Sequence, residues 1–342
     1  MKQYILPNEG NFYRANLHCH STCSDGALTP DELKEVYKSA GYSVLAYSDH
    51  NVLIDYSHMD DEDFLTLTSV EIDVMKAGET PSAYRPCYHI NFYPEDQHNT
   101  ALPCFNPKHV WGKREDLRDA QKYVGEPTFV RNYENINEMI NEFGKHGFMA
   151  MVNHPTWSQQ AMNDYCTLDT SNVFAMEMYN HGCFIAGYDE INCHIYDEML
   201  RRGHRIFCTA TDDNHNKHPK GTAHWDSLGG FVMIKAPELT HKAIYSALKS
   251  GNFYASMGPE IEELYIEDGY LHVKTSPAAK IALTTGCRQA KVAYAQTPHT
   301  PLKEASFSLQ KILPGYIRIT VTDEKGRMAW SQPVWSEFSG IN

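Results

Sequence analysis

The sequence predicts an α/β fold followed by a smaller all-β unit. Three observations carry this. Strand-like and helix-like segments alternate from residue 14 to about residue 250. The strand-like runs are apolar throughout and end in histidines or acids. From about Pro259 the texture changes to short alternating strands separated by turn signals. Continuous apolar runs mark strands buried on both faces, as in parallel sheets, whereas strict alternation marks strands with one solvated face. The 342 residues leave room for a large domain, 1–258, and a smaller one, 259–342.

The first element is a short buried strand at 14–17 that runs into LHCHSTCSDG at 17–26. Residues i and i+2 of a strand share a face, so His18 and His20 project together while Leu17 and Cys19 pack behind them. Two imidazoles on one side suit a transition metal. The Ser24-Asp25-Gly26 turn can bring the Asp25 carboxylate back over the pair. A helix follows at about 30–40, with Thr29 as N-cap, Pro30 at its first position and Glu32 completing a capping box. The run at 44–47 is a buried strand ending in Ser48-Asp49-His50-Asn51. The next, 64–70, delivers Glu71, and the strand 87–92 contains His89. Residues 94–131 lack a clear period and read as a partly helical insertion able to cover a site. A helix at 134–146 leads to the strand 148–152, which ends at Asn153-His154. The strand 173–179 carries Glu177 and ends at Asn180. A helix at 190–202 precedes the strand 206–210, which ends in Asp212, Asp213 and His215. Strands at 261–266, 270–274, 280–283, 305–309 and 316–321 make up the β unit, a sandwich with no metal-ligand spacing.

Composition narrows the function. The net charge of −13 argues against general nucleic-acid binding, which needs a basic face. The nine cysteines are scattered, with no Cys-x-x-Cys pair, so neither a zinc ribbon nor a disulfide framework is expected. No signal peptide and no membrane span is read, and the chain is expected to be cytoplasmic. The sequence assigns no oligomeric state.

Nearly every α/β strand thus delivers a histidine or a carboxylate at its C-terminal end, where such folds build their sites. Nitrogen and oxygen ligands without thiolates suit Zn²⁺, Mn²⁺ or Fe²⁺, and the set is too large for one tetrahedral ion. LHCHSTCSDG at 17–26, YSDHN at 47–51, SVEID at 69–73, YHI at 88–90, NHP at 153–155 and TDDNH at 211–215 resemble, in order, the motifs of the PHP (polymerase and histidinol phosphatase) family. The resemblance implies a distorted (β/α)7 TIM-like barrel with two or three divalent ions at its mouth. It also implies hydrolysis of phosphate esters, hence a small phosphorylated substrate. By it, His18, His20, Glu71 and Asp213 look like ligands of one ion. His50, Glu71, His89 and His154 would serve the others, with Asp25 and His215 completing the set. Asp213 is aligned with the family's Asp-x-His element, and Asp212 is the fallback.

Glu71, Asp25 and His215 are the catalytic candidates, either of the last two as proton donor. Asp49, Glu177 and Asn180 are candidates for orienting ligands. Lys217, with Arg85, Lys113, Arg114, Arg131 and Lys220, is a candidate for holding phosphate oxygens. His218 and His224 are read as loop residues. Two rival readings are an amidohydrolase-type enzyme cutting C–N or lactone bonds and a non-catalytic metal-containing binding module. The first commonly uses a bridging carboxylated lysine, where this chain has Glu71. The second predicts missing ligands, and none is missing.

Overall fold

The computed structural model describes residues 2–125, 131–297 and 299–335. The chain is mixed α/β. The N-terminal strands are β1 (Gln3–Tyr4) and β2 (Asn11–Asn16), followed by helix α1 (Pro30–Ser39) and strands β3 (Val44–Tyr47), β4 (Leu65–Thr68) and β5 (Val70–Met75). Next come β6 (Cys87–Pro94) and the small elements β7 (Ala101–Pro103), α2 (Glu115–Ala120) and β8 (Lys122–Val124). Helix α3 (Ile136–Lys145), strand β9 (Phe148–Val152), helix α4 (Met162–Cys166) and strand β10 (Val173–Asn180) follow. After these come helices α5 (His181–Ile185) and α6 (Cys193–Arg201), strands β11 (Phe207–Thr211) and β12 (Phe231–Ala236), helix α7 (His241–Ser250) and strand β13 (Phe253–Ser256). Helix α1 starts as its sequence directs: Glu32 Oε2 accepts from the Thr29 backbone N–H at 2.8 Å, and Thr29 Oγ1 accepts from Glu32 N–H at 3.3 Å.

The strands do not close into one barrel. They divide into a five-stranded sheet, β11-β10-β9-β6-β5, and a ten-stranded sheet that includes β13-β12-β2-β3-β4. In these two sheets the pairs β2–β3, β3–β4, β9–β10 and β10–β11 are parallel; β5–β6, β6–β9, β2–β12 and β12–β13 are antiparallel. The cause is local. No α-helix lies between β5 and β6, so that connection returns the chain antiparallel. Between β4 and β5 only Ser69 intervenes, and its Oγ donates to the Tyr47 carbonyl at 2.7 Å in place of a ladder bond. One strand path therefore bends from one sheet into the other. The two sheets meet at two isolated bridges, His50–Glu71, both candidate site residues, and Cys19–Asn214, which lie next to His18, His20, Asp213 and His215 in the chain.

The C-terminal strands are β14 (Ile261–Glu267), β15 (Tyr270–Ala278), β16 (Lys280–Thr285), β17 (Lys291–Tyr294), β18 (Leu302–Ser308), β19 (Tyr316–Thr322), β20 (Met328–Trp330) and β21 (Val334–Trp335). They form two layers that enclose Leu264, Val273, Ile281, Phe307, Ile319 and Val321. The N-terminal β1 pairs with β14, and β20 pairs with β13, so the ten-stranded sheet runs across residue 258. Arg318 is buried and grips Asp197 of α6 through Nε at 2.9 Å and Nη2 at 2.7 Å. All nine cysteines are free. No helix among the described residues is long and apolar enough to cross a membrane.

Candidate metal centre

His18 and His20 lie just beyond β2 in extended backbone, with Leu17 and Cys19 buried between and behind them. The next residues turn back over the pair. Gly26 N–H donates to the Ser21 carbonyl at 2.9 Å, and a Cβ on Gly26 would stand 2.3 Å from the His20 carbonyl oxygen. Only glycine allows that approach. Asp49 shapes the same loop, accepting from Ser21 N–H at 2.8 Å, Ser21 Oγ at 2.7 Å and Ser24 Oγ at 2.6 Å. Asn51, His154 and Asp213 all have left-handed backbone, with φ of 59°, 23° and 50°. Such residues cost about 1–3 kcal/mol each and are retained where the surroundings fix them, here at the turns that aim side chains into the cluster.

Three groups of ligand atoms result: His18, His20, Glu71 and Asp213; His20, Asp25, His50 and His215; and His50, Glu71 and His89. In the first, His18 Nε2 and His20 Nε2 are 3.1 Å apart. Glu71 Oε2 lies 3.4 and 3.2 Å from them, and Asp213 Oδ1 lies 3.2 and 3.1 Å away. These five separations, 3.1–3.4 Å, match the spacing of donors that share one tetrahedral ion at bond lengths of about 2.0 Å. The hydrogen bonds on the far side of the rings leave the right nitrogens free. His18 Nδ1 donates to Glu177 Oε1 at 2.7 Å, and His215 Nδ1 donates to the Asp213 carbonyl at 3.0 Å. An imidazole with one nitrogen engaged as a donor offers one lone pair, so the shared residues divide. With His20 Nε2 in the first group, the second keeps Asp25 Oδ1, His50 Nε2 and His215 Nε2, spaced 3.9 and 3.3 Å from Asp25. With His50 counted in the second, the third keeps Glu71 Oε1 and His89 Nδ1, 3.1 Å apart, and His154 Nε2, outside the three groups, approaches the same oxygen at 3.4 Å. Glu71 thus presents one oxygen to each of two positions.

Two buried atoms at this point, Asp25 Oδ1 and His50 Nδ1, have no hydrogen-bond partner. Buried polar atoms without partners are costly, and a cation would satisfy Asp25. The titration behaviour agrees. Burial opposes charge on His18, yet the carboxylates of Asp213, Glu71 and Glu177 outweigh it and raise its pKa well above the usual value. His20 is likewise disfavoured by burial but raised to about 10 by hydrogen bonds to Asp213 and Glu71. Burial lowers His50 to about 3 despite the pull of Glu71. Burial pushes the Glu71 and Asp213 carboxyls up, but the neighbouring histidines, His18 foremost, hold both well below the carboxylate range. The carboxylates draw positive charge into the cluster; protons on histidine nitrogens supply it where no metal does.

Glu177 is fully buried and accepts from Thr211 Oγ1 at 2.6 Å and the His154 backbone N–H at 2.7 Å besides His18. Asn180 Nδ2 donates to Glu177 Oε2 at 2.9 Å and Asp213 Oδ2 at 3.2 Å. Both hold ligands in place. Asp212 does not join the cluster: its carboxylate accepts from the N–H groups of Leu228, Gly229 and Gly230 and from Tyr37 Oη, all within 2.9 Å. The one-residue difference decides this because Asp213 is left-handed and turns the next side chain the opposite way.

The cluster opens into a cleft of about 600 Å³. Lys217 lines it, with Nζ 3.3 Å from Asp25 Oδ2, and His218 and His224 stand at the rim. The other cations proposed for phosphate do not line it. Arg131 is buried against Asn51 and His109, Arg114 holds Asp116 and the Thr22 carbonyl, and Arg85 bonds the carbonyls of Lys76 and Gly78. Sequence reasoning missed Trp111, Trp157, Asn153 and Glu190. The indole of Trp111 stacks on His50 with centroids 4.8 Å apart, and that of Trp157 stands edge-on to His154 at 4.9 Å. Asn153 Nδ2 donates to Glu71 Oε1 at 2.7 Å. Glu190, three residues ahead of α6 and not inside it, accepts from the N–H groups of Thr156 and Trp157 and fixes that loop. For Trp157, its place three residues after His154 was the available signal; Trp111 had none.

No protein-family model matches the chain, and no curated protein does. Among solved structures, it is similar to a two-domain protein of Bacteroides vulgatus containing a predicted PHP-like metal-dependent phosphoesterase. That match has 13% identity and a TM-score of 0.45, covering 97% of this chain and 98% of the other. A candidate metal-dependent phosphoesterase of Bifidobacterium adolescentis matches at 15% identity and a TM-score of 0.37, over 64% of this chain and 91% of the other. An amidohydrolase of Chromobacterium violaceum, with bound sulfate and no metal, matches at 19% and 0.38, over 59% and 87%. At these scores the likenesses bear on neither mechanism nor substrate.

Proposed function

We propose that the chain is a metal-dependent phosphoesterase of PHP type, acting on phosphomonoesters, with the 1–258 region carrying the site and 259–342 a β unit joined to it through the ten-stranded sheet. The observation that carries this is Glu71, whose two oxygens each face a separate set of imidazoles, as a site for adjacent metal ions requires. The ligands would be His18, His20, Glu71 and Asp213 for one ion; Glu71, His89 and His154 for a second; Asp25, His50 and His215 for a third. Zn²⁺, Mn²⁺ and Fe²⁺ suit these donors. Bound there, two or three such ions supply Lewis acidity, lowering the pKa of water and offsetting charge on a phosphoryl group.

The chain's own residues do the rest. Glu177 fixes the His18 tautomer, and Asn153 and Asn180 fix the Glu71 and Asp213 carboxylates. Asp25 and His215 reach the rim, each with 24% of its side chain exposed; they serve as ligands of that third ion or, where it is absent, one of them is placed to pass a proton to the leaving oxygen. Lys217 beside them offers a phosphate oxygen its ammonium. Nothing in this reading calls for nucleic acid or membrane; the partner is a small phosphorylated molecule. The amidohydrolase alternative commonly uses a bridging carboxylated lysine, whereas the carboxylate facing two sets of imidazoles here is that of Glu71.

The test is phosphate release from a panel of phosphomonoesters by the Mn²⁺- or Zn²⁺-loaded protein and by Glu71→Gln. The expected outcome is turnover by the wild type, with loss of most metal and activity in the variant. A variant with normal metal content and full activity would sink the assignment.

A further inference from the structure

Two indoles and several apolar side chains form part of the cleft's otherwise polar wall. Trp111, 41% exposed, covers His50 with its ring plane 29° from the imidazole's. His50, His89 and His154 form a row, with centroids 5.5 and 5.0 Å apart. Trp157 stands edge-on over the far end of that row, 5.1 Å from His89 and 4.9 Å from His154. Met75, Ile185 and Ala186 continue the surface.

Charge points the same way. Lys217 is the one lysine or arginine among the described lining residues, and Asp25 already engages it. The carboxylates of Asp73 and Asp226 line the same cleft. A leaving group with further phosphates or carboxylates would meet these carboxylates with only the engaged Lys217 and the imidazoles of His218 and His224 to answer it. A large, half-exposed indole is costly to leave bare beside a metal centre and is a natural stacking platform.

We propose that this site selects a phosphomonoester whose leaving alcohol is aromatic or similarly flat and apolar, stacked on Trp111 and bounded by Trp157. This rests on the phosphoesterase reading and narrows it to a substrate class. Polyphosphates and sugar bisphosphates are disfavoured by the same surface.

The experiment separates the two claims by measuring binding and turnover independently. Calorimetry at saturating Zn²⁺ would compare benzylphosphonate, which cannot be hydrolysed at its P–C bond, with methylphosphonate. Benzylphosphonate is expected to bind roughly tenfold tighter, and Trp111→Ala to reduce that ratio about fivefold, with Trp111→Phe restoring most of it. Trp157→Ala gives a second reading at the other end of the row. Equal affinities for the two phosphonates in the wild type, or a ratio untouched by Trp111→Ala, would overturn the inference, whatever the enzyme hydrolyses. Absence of phosphate release from benzyl phosphate and every other monoester, with the affinity ratio intact, would overturn the phosphoesterase reading and leave the aromatic subsite standing.

Discussion

Replacing Glu177 by Gln tests whether the centre depends on a buried hydrogen-bond network that never touches a metal. Four donors converge on this carboxylate. Thr211 Oγ1 and His18 Nδ1 address Oε1; the His154 backbone N–H and Asn180 Nδ2 address Oε2. Glutamine must turn one end into a donor. The backbone N–H of His154 cannot reverse, so the amide oxygen stays on that side and the NH₂ faces His18 and Thr211. The threonine hydroxyl can accept. His18 can do so only by moving its proton to Nε2, the atom that faces Glu71, Asp213 and His20. That removes the lone pair the first ion needs. Loss of an orienting partner of this kind typically lowers metal affinity about 10–100-fold, or roughly 1.4–2.7 kcal/mol. The fold itself loses one charge-assisted bond, about 1.5–3 kcal/mol. Titration of Zn²⁺ against a competing chelator, with a melting curve on the same sample, reads both. A variant that melts lower but binds its tightest ion with wild-type affinity would refute the tautomer argument.

Two further outcomes follow from the same site. His20 has a folded pKa raised to about 10 against an unfolded value near 6.5, so the stability it contributes is complete below about pH 6.5 and lost as pH rises to about 10. The metal-free protein should therefore melt at progressively lower temperature across that window while the Zn²⁺-loaded protein, whose His20 carries no proton, does not; parallel pH profiles would refute this. Asp212→Asn should lower stability by about 1–3 kcal/mol, because its new NH₂ faces backbone donors, and should keep its metal; Asp213→Asn should lose metal instead, and the reverse pattern would show that the two aspartates have been exchanged.

How much of this was legible depended on the range of the interaction. The His18/His20 pair, the Asp25 return and the α1 cap are set by neighbours a few residues apart, and their spacing in the chain is their geometry. The ligands at strand ends were legible because a buried apolar run that stops at a histidine sets the imidazole down at the rim of the sheet, where α/β folds gather their polar groups. Closure of the strands was not legible. It turns on Ser69, a single residue where the backbone leaves one ladder for another, and no periodicity marks such a bend. The continuity of the ten-stranded sheet across residue 258 was equally hidden, since pairing of β13 with β20 joins residues more than seventy positions apart. Trp111 and Trp157 were missed for a related reason: an indole's place over an imidazole is fixed by tertiary packing of irregular segments, where neither period 2 nor period 3.6 applies.

Charge balance bears on how many ions the proposed centre holds. Asp25, Glu71, Glu177 and Asp213 bring four negative charges into a largely buried volume, and neutral imidazoles offset none of them. Two divalent ions neutralise the four, and a buried cluster is most stable near neutrality. A phosphomonoester dianion then brings two more negative charges into a cleft whose one lysine among the described lining residues, Lys217, is largely exposed and screened by solvent. A third divalent ion restores neutrality, and the Asp25, His50 and His215 set, the most exposed of the three, is where it would enter. Substrate and third ion should therefore bind cooperatively, each raising the affinity of the other by the same factor. Equilibrium dialysis should find two ions per chain in the metal-loaded protein and three when a non-hydrolysable phosphonate is present. His215→Ala should abolish the increment and leave the first two. A stoichiometry that does not change with the phosphonate would mean that protein groups, and not a third ion, answer the substrate's charge.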